Sequence, residues 1–350
     1  MRILVFCDRL RPPFDEGIRN TALQFIRALA SEHQVQGLTN LGADVPHEKV
    51  RRVAANRLLL SPALARAVAA LRPELIFYFP TACATPLAFL RGRLLGLYGR
   101  APVVMGILQP RRYPWYAPIA FRLLRPRLCL APSERVRADL CRLGCRVGVM
   151  RVGVDVERFK PVDTARRAAL RAAYGVPRDA YVVLHVGHIN AGRNVAALAP
   201  LQGVEGTQVL LVGSSSFAPD LALAGELRAL GVRVITDYLS EVAEVYQLAD
   251  CYAFPARLDE KAIEVPLSVL EAMATNLPVV STPYGGLPDL LQEGDGLCYA
   301  SDDEALRRRI LACRGLPART RERIMPFSWR RVVAEALATV RNDIPSLSVG

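Results

Sequence analysis

Two successive series of apolar runs, separated by stretches with helical periodicity, constrain this chain more than any other feature. The first series comprises Ile3–Cys7, Val35–Thr39, Leu75–Phe79, Val103–Leu108 and Leu128–Ala131. The second comprises Tyr181–Gly187, Val209–Gly213, Val232–Thr236, Cys251–Phe254 and Pro278–Ser281. Strands that alternate with helices predict parallel sheets covered on both faces. We therefore expect an α/β fold with two sheets.

The length of the chain also favours two domains, because 350 residues exceed the usual size of one domain. The stretch between the two series is polar and rich in turns around Pro161 and Pro177. We place the first domain at residues 1–160 and the second at 175–326. Ligands of open parallel sheets lie beyond the carboxyl ends of the strands, so we expect the two sets of ends to border a shared cleft.

Positive charge is concentrated in the first half of the chain. Residues 1–150 carry 23 Lys and Arg against 9 Asp and Glu, and the net charge of the whole chain is +12. The segment from Arg91 to Arg146 holds 12 Arg and 2 acids, interspersed with Tyr113, Trp115, Tyr116 and Phe121. Such a basic, aromatic segment fits an anionic membrane surface. It also fits guidance of an anionic acceptor or nucleic acid, or a surface helix over a buried aromatic cluster.

The remaining composition predicts a cytoplasmic protein, with the basic segment offering a peripheral contact on the inner face of the membrane. Eight cysteines occur without a paired metal spacing, which favours reduced thiols. No secretory signal is evident, and no uncharged stretch reaches the ~18–20 residues that span a bilayer. We expect neither a metal site nor a cofactor.

The segment from Glu264 to Leu291 predicts an anion site. Pro266 can occupy the first turn of a helix without loss of a hydrogen bond. The helix dipole favours an anion at the free amides behind it, which belong to Leu267, Ser268 and Val269. Glu271 lies one turn further along, where a carboxylate can accept hydrogen bonds from a ribose. The segment therefore indicates a site for a nucleotide diphosphate.

This segment resembles the donor-site signature of the retaining GT-B glycosyltransferases, specifically the family 4-like enzymes (glycosyl transferases group 1). The run EAMATNLPVVST, which begins at Glu271, follows the family pattern closely. The family's first glutamate falls on Ile263, with Glu264 one place later. The resemblance implies that Glu271 holds the ribose and that Glu264 contacts a hydroxyl of the donor sugar.

Two further elements extend the resemblance. Gly153-Val154-Asp155 is similar to the family's interdomain element, and Phe327-Ser328-Trp329 is similar to the start of its penultimate helix. The implied fold is two Rossmann-like domains facing across a cleft (GT-B), the first for the acceptor and the second for the donor. A C-terminal helix at about 329–345 is expected to pack back on the first domain.

The loop after the strand Tyr181–Gly187 reads HINAGRNV. The family places an Arg directly after the glycine and a Lys five residues later, both on the donor diphosphate. Here those positions hold His188 and Arg193. Arginine keeps the charge and can fork onto two phosphate oxygens. The resemblance therefore implies that Arg193 and His188 are catalytic at the diphosphate, and that Glu264 is catalytic at the donor sugar. The alternatives are a solvated arginine and a hydrogen-bonded loop histidine.

The resemblance implies donor contacts at three further places, where the sequence motif is less specific. Gly187 permits close backbone approach after its strand. Gly17 occupies the first strand-to-helix turn, where the family has a Gly-Gly pair and this chain has Glu16-Gly17. Tyr238 or Leu239 would border the nucleobase.

The function expected from the resemblance is transfer of a sugar from a nucleotide-diphosphate sugar to a lipid-linked or anionic acceptor, in glycan or glycolipid biosynthesis. Such an enzyme would be a retaining, metal-independent transferase of the hexosyltransferase type, with the nucleotide sugar as co-substrate. The alternatives are a degenerate or non-catalytic protein that binds a nucleotide sugar or nucleic acid, and a sugar-nucleotide epimerase. We expect no nucleic-acid partner.

Overall fold

The computed structural model of the protein describes residues 1–81, 83–111, 113, 115, 117–213, 220–257 and 263–347. The chain divides into two compact units. Unit 1 comprises Met1–Val152, Glu260–Val265 and Trp329–Gly350, and unit 2 comprises Gly153–Asp259 and Pro266–Ser328. The short stretch with Ile263 and Glu264 therefore belongs to unit 1, although it is flanked in sequence by unit 2.

Unit 1 is built on a parallel sheet. Its strands in the described residues are β1 (Arg2–Cys7), β2 (Gln34–Thr39), β3 (Val50–Arg52), β4 (Leu75–Phe79), β5 (Val103–Gly106), β6 (Leu128–Ala131) and β7 (Val147–Val149). Their order in the sheet is β3-β2-β1-β4-β5-β6-β7. The helices of the first 150 residues are α1 (Gly17–Leu29), α2 (Pro62–Leu71), α3 (Pro86–Gly99), α4 (Ala117–Leu124) and α5 (Glu134–Arg142).

The core of unit 1 lies on both faces of this sheet, because β1 and β4 are apolar on both sides. On one face, Phe25 of α1 packs edge-to-face against Phe77 at 5.3 Å and Phe79 at 4.9 Å between ring centroids. On the other face, Phe89 and Phe121 stack at 4.1 Å. The long C-terminal helix Trp329–Asp343 contacts α1 and β7 within the same unit.

Unit 2 contains the second parallel sheet. Its strands are β8 (Tyr181–Gly187), β9 (Thr207–Gly213), β10 (Arg233–Ile235), β11 (Cys251–Phe254), β12 (Val279–Ser281) and β13 (Leu297–Tyr299), in the order β10-β9-β8-β11-β12-β13. Its helices are α6 (Thr164–Ala173), α7 (Leu221–Ala229), α8 (Ala243–Leu248), α9 (Leu267–Ala274), α10 (Leu287–Leu290), α11 (Asp303–Ala312) and α12 (Thr320–Ile324), and the C-terminal helix of unit 1 is α13. The 3-10 helices of the described chain are Pro46–Glu48, Ala191–Arg193, Val195–Gly203, Met325–Phe327 and Pro345–Leu347.

The prediction of an α/β chain with two Rossmann-like sheets is confirmed. Every strand predicted from an apolar run is present, with bounds shifted by no more than two residues. Three strands were missed, namely β3, β7 and β13. Each has three residues, and β3 and β7 lie at the two edges of the first sheet while β13 lies at an edge of the second. An edge strand of three residues is too short to show a period, so pairing with its neighbour defines it.

An ion pair with a buried arginine attaches α6 to the second sheet. Arg171 of α6 is buried, and its Nη2 lies 2.5 Å from Asp250 Oδ2 in the turn before β11. The same guanidinium donates to the carbonyl oxygens of Leu248 at 3.1 Å and Ala180 at 3.0 Å. Asp250 also accepts from the Val182 amide of β8 at 2.7 Å. The pair therefore links one helix to the amino ends of two strands.

Replacement of Asp250 by Ala should lower the free energy of unfolding by about 3 kcal/mol, because it leaves the buried Arg171 without its carboxylate. Urea denaturation of the wild type and the variant measures this loss. The control is Glu335→Ala, which removes an exposed partner of Arg331 on α13 and should cost less than about 1 kcal/mol. Equal losses in the two variants would contradict a structural role for the Arg171–Asp250 pair.

Candidate functional site

The loop after β8 holds two basic side chains close together. His188 directly follows β8, and Arg193 is the last residue of the 3-10 helix Ala191–Arg193. Arg193 Nη2 lies 3.5 Å from His188 Nδ1, and both residues are half-buried. A guanidinium can only donate, so His188 accepts through Nδ1 in this pair. The structure thus brings together the two basic residues that the family resemblance assigned to the donor diphosphate.

Two asparagines fix this loop. The side-chain oxygen of Asn190 accepts from the Arg193 amide at 3.1 Å. Asn194 has a left-handed φ of 53°, and its Nδ2 donates to Asp303 Oδ1 at 2.8 Å and to the Pro255 carbonyl at 3.3 Å. The loop is therefore tied to the start of α11 and to the carboxyl end of β11. The backbone that carries the Arg193 guanidinium is held in place before any ligand binds.

A neutral histidine lies beneath the loop. His185 of β8 is fully buried, and its Nδ1 donates to the Ala253 carbonyl at 2.9 Å. Burial lowers the pKa of His185 to about 4, because the charged imidazolium would lose its hydration. A Cβ atom on Gly187 would lie 3.1 Å from His185 Nε2. The glycine at this position therefore makes room for His185, a reason that the sequence did not reveal.

The amino end of α9 offers two of the three predicted backbone donors. Pro266 precedes the helix with φ −66°, as expected for a proline at a helix start. Leu267 and Ser268 are half-buried, and the described residues provide no acceptor for their amides. The Val269 amide instead donates to the Pro266 carbonyl at 3.2 Å. The prediction that Val269 supplies a free amide was therefore wrong, because the first turn closes on itself.

The side chain of Ser268 connects α9 to the sheet. The Ser268 side chain lies beside Tyr252 of β11, and the Tyr252 hydroxyl donates to the Val186 carbonyl of β8 at 3.2 Å. Burial raises the pKa of Tyr252, so this phenol remains protonated. The contact holds the start of α9 beside the carboxyl end of β8, on the same edge of the sheet as Arg193 and His188.

Glu271 lies one turn into α9 and is half-buried. The Tyr246 hydroxyl donates to its Oε2 at 2.7 Å. Burial raises the pKa of Glu271 to about 6, although the Tyr246 hydrogen bond and the positive charge of Arg158 favour the ionised form. At neutral pH the side chain is therefore a carboxylate that can accept further hydrogen bonds. Sequence reasoning missed Tyr246, which carries no local signal beyond its place on the amphipathic helix α8.

The segment predicted to border the nucleobase lies between β10 and α8. Tyr238 is more than half exposed and Leu239 is half-buried. The neighbouring Ser240 carbonyl accepts from Arg158 Nη2 at 2.6 Å, which anchors this segment. An exposed ring beside an anchored backbone can stack on a base. That contact stays a prediction for both residues.

The first strand-to-helix turn differs from the prediction in its chemistry. Glu16 caps α1, and its carboxylate accepts from the amides of Ile18 and Arg19, each at 3.1 Å. A Cβ atom on Gly17 would lie 2.7 Å from Ile263 Cδ1, so the space at this glycine is filled by an apolar side chain. The amides at the start of α1 therefore already donate to the carboxylate of Glu16. A role for Gly17 in donor binding has no support in this geometry.

Glu264 belongs to unit 1, and its carboxylate is bound by other residues of that unit. Its carboxylate takes a forked pair of bonds from Arg135, with Nε 3.1 Å from Oε1 and Nη2 2.8 Å from Oε2. The Ser133 hydroxyl donates to Oε1 at 2.9 Å, and Glu264 is about 1% exposed. Both oxygens of the Glu264 carboxylate therefore already have partners and are shielded from solvent. The predicted contact with a hydroxyl of the donor sugar is replaced by these bonds. Ser133 could have been found as the residue that caps α5, but nothing in the sequence joins α5 to Glu264.

Within the described ranges, no group of three His, Cys, Asp or Glu side chains is placed to hold a metal ion. In the same ranges, none of the helices combines the length and apolarity needed to cross a membrane.

Residues 181–314 match the family described as glycosyl transferases group 1. This region runs from the first residue of β8 to just beyond α11, and it contains His188, Arg193 and Glu271.

Curated relatives cover part of the chain. A D-inositol 3-phosphate glycosyltransferase of Saccharomonospora viridis is 33% identical over 232 residues, which is 56% of this chain and 52% of that protein. The sulfoquinovosyl transferase SQD2 of Arabidopsis thaliana is 26% identical over 257 residues, which is 67% of this chain and 48% of that protein. The chain therefore spans about half the length of the curated relatives it matches.

Solved structures share the fold over nearly the whole chain. HepE of Anabaena in complex with UDP and glucose aligns with a TM-score of 0.75 at 18% identity, covering 98% of this chain and all of that one. Sucrose-phosphate synthase of Thermosynechococcus elongatus aligns with a TM-score of 0.74 at 19% identity, covering 99% and 100%. The chain thus has the GT-B fold that these glycosyltransferase structures share, and its residues 181–314 are similar to the glycosyl transferases group 1 family.

Proposed function

We propose that the protein is a retaining glycosyltransferase that moves a sugar from a nucleotide-diphosphate sugar to an acceptor. The observation that carries this proposal is the arrangement at the carboxyl edge of the second sheet. Arg193 and His188 after β8 share this edge with the amino end of α9 and with Glu271. A diphosphate and a ribose are a complementary pair of ligands for these groups.

In the proposed mechanism the nucleoside diphosphate leaves while positive charge grows on the anomeric carbon. Arg193, His188 and the amides of Leu267 and Ser268 stabilise the negative charge that builds on the leaving phosphate. Fixed donors aimed at a developing charge are usually the largest contribution to catalysis. Since arginine and helix amides supply the positive charge, we propose that the reaction proceeds without a metal ion.

We propose a hexose as the transferred group and retention of its configuration, as in the family resemblance. The acceptor attacks from the face that the nucleotide leaves, and the leaving phosphate takes the acceptor's proton. Glu271 holds the ribose hydroxyls through its carboxylate. Tyr238 and Leu239 border the base, Gly187 gives the diphosphate access to the backbone, and unit 2 is the donor domain.

Glu264 has a different place in the proposal from the one that the resemblance implied. Because Arg135 and Ser133 hold its carboxylate in unit 1, we propose that Glu264 positions the chain just before Pro266 and α9. Its amide reinforces this anchor by donating to the Leu108 carbonyl at 2.8 Å. Contact with the donor sugar then falls to other groups.

Unit 1 is the proposed acceptor domain. The first 150 residues carry a strong excess of arginine, and a relative bears the name D-inositol 3-phosphate glycosyltransferase. These observations favour an anionic or lipid-linked acceptor and peripheral attachment to an anionic membrane, in glycan or glycolipid biosynthesis.

Donor identity can be tested by thermal unfolding in the presence of UDP, GDP, ADP and their sugars. A nucleotide at 100 times its dissociation constant should raise the free energy of unfolding by about 2.7 kcal/mol. We expect one base to stabilise the protein, with the matching diphosphate sugar stabilising it as well. No stabilisation by any of them would contradict the proposed function.

Arg193→Ala should reduce turnover by about 100-fold or more, because it removes a donor that faces the leaving phosphate. Hydrolysis of the stabilising nucleotide sugar to nucleotide and free sugar measures this without an identified acceptor. Arg193→Lys should retain more activity than Arg193→Ala, since it keeps the charge but loses the fork. Arg308→Ala removes an exposed arginine of α11 and is the matched control. Equal activity in Arg193→Ala and Arg308→Ala would remove Arg193 from the mechanism.

Nucleotide affinity should fall as the pH drops through about 6. Ribose hydroxyls donate to the ionised form of Glu271, so protonation of the carboxyl competes with binding. The dissociation constant should rise by up to about tenfold per pH unit below 6, as measured by calorimetric titration. Glu271→Gln should lack this dependence, and the phosphate of the nucleotide titrates equally in both proteins. The same pH profile in both proteins would exclude Glu271 as the ribose ligand.

A further inference from the structure

A second basic site lies in unit 1, away from the carboxyl ends of its strands. A cavity of about 560 Å³ is lined by five arginines, namely Arg93, Arg100, Arg125, Arg127 and Arg146. Val103 also lines it, and this residue begins β5. Arg127 and Arg146 immediately precede β6 and β7. The cavity is therefore at the amino ends of these three strands, whereas ligands of open sheets bind at the carboxyl ends.

The charge of this cavity is only partly neutralised. Asp343 of α13 lies 2.6 Å from Arg146 Nη2 and 4.0 Å from Arg127 Nε. Among the described residues, no carboxylate lies within ion-pair distance of Arg93, Arg100 or Arg125. Three uncompensated arginines around one cavity favour a ligand with phosphate oxygens, which guanidinium groups bind in a forked geometry.

Exposed apolar side chains occur on α3, which lines the cavity, and on α4, which is followed directly by the lining residue Arg125. Leu97 lies between Arg93 and Arg100 on the exposed side of α3, lines the cavity and is 59% exposed. On α4, which contacts α3, Ile119 is 63% and Leu123 is 76% exposed. The side chains of Ile119 and Leu123 point away from the side of α4 that carries the buried Phe121.

The aromatic residues of this region separate into two groups. Phe121 is buried against Phe89, and Tyr113 packs on Phe121 at 5.6 Å between ring centroids. These two rings belong to the core, as the alternative of a buried aromatic cluster predicts. Trp115 is 87% exposed, on the approach to α4. Arg112 and Tyr116, which were part of the predicted basic segment, lie outside the described residues.

We propose that the arginine cavity binds the phosphate of an anionic phospholipid, while the outward face of α4 enters the acyl region of the bilayer. Charge complementarity and apolar exposure together favour this occupant. Phosphates lie directly above acyl chains in a membrane, and arginines at that depth bind phosphate while apolar side chains insert. A soluble phosphate compound would leave Leu97, Ile119 and Leu123 in water.

The proposal deepens the membrane attachment included in the proposed function, and it names the headgroup site. Attachment through the amino ends of β5, β6 and β7 leaves the carboxyl ends of the sheet of unit 1 open toward an acceptor. The site at the edge of the second sheet is not involved. Membrane binding and donor hydrolysis can therefore fail independently.

The test is co-sedimentation of the full chain with vesicles of phosphatidylcholine containing phosphatidylglycerol, at low salt. Arg93→Gln/Arg100→Gln should weaken binding by roughly 25-fold, since each arginine at an anionic surface contributes about fivefold. Its control is Arg51→Gln/Arg52→Gln, which removes the same charge from the exposed strand β3 and should weaken binding much less. Equal weakening by both pairs would overturn the assignment of the cavity.

The apolar contribution is tested by Ile119→Ser/Leu123→Ser, which should weaken vesicle binding by about tenfold or more. Leu221→Ser/Leu230→Ser changes two equally exposed side chains in unit 2 and should have no effect. A wild type that does not sediment with these vesicles would overturn the proposal. So would binding of inorganic phosphate to the arginine cavity without any vesicle binding.

Donor hydrolysis without vesicles is measured for the same variants and should be unchanged. If the wild type binds vesicles but hydrolyses no nucleotide sugar, the proposed function fails while the lipid site stands. If hydrolysis is normal but the vesicle binding of Arg93→Gln/Arg100→Gln equals that of the wild type, the lipid site fails alone.

Discussion

Parallel pairing of β8 with β9 and β11 is the constraint on which the candidate site depends. Residues that are far apart in sequence, such as His188 and Pro255, are brought to one edge because both strands end there. The bond from Asn194 to the Pro255 carbonyl and the bond from Tyr252 to the Val186 carbonyl then connect the two strand ends. The helix α9 begins from this edge. The position of an anion-binding site therefore follows from the topology of the sheet, before any side chain is considered.

The electrostatics of this edge suit a ligand that is negative at one end and neutral at the other. Arg193 and the first amides of α9 supply positive charge, while His185 remains neutral beneath them. Glu271 differs from these groups because it is an acid, and burial makes its ionisation unfavourable below a pH of about 6. In the free protein its contribution to stability is greatest at low pH and is lost as the pH rises through 6. Such a cost is typical of a group retained for binding.

Much of the fold was predictable from the sequence. The long apolar runs predicted ten strands, among them β12, and Pro266 predicted the start of α9. These predictions succeed because buried parallel strands and helix starts have local signatures. Strand β3, with two arginines in three residues, has no such signature, and it forms because β2 offers it a paired edge.

The candidate site was predictable only where one local motif determines the geometry. Arg193 and His188 lie on a single loop, so their proximity follows from their spacing. The partners of Glu264 could not be predicted, because Arg135 is 129 residues away and only the packing of unit 1 brings the two together. The engaged amide of Val269 was missed for a different reason: the sequence locates the helix start but does not specify how its first turn closes.

The proposed function depends on a diphosphate that binds between the Arg193 guanidinium and the first amides of α9. A crystal structure of the protein with UDP, or with whichever nucleotide stabilises it, tests this most directly. We predict phosphate oxygens within hydrogen-bond distance, about 3 Å, of Arg193 and of the Ser268 amide, with the ribose at Glu271. A nucleotide bound with its phosphates away from Arg193 and α9 would contradict the account.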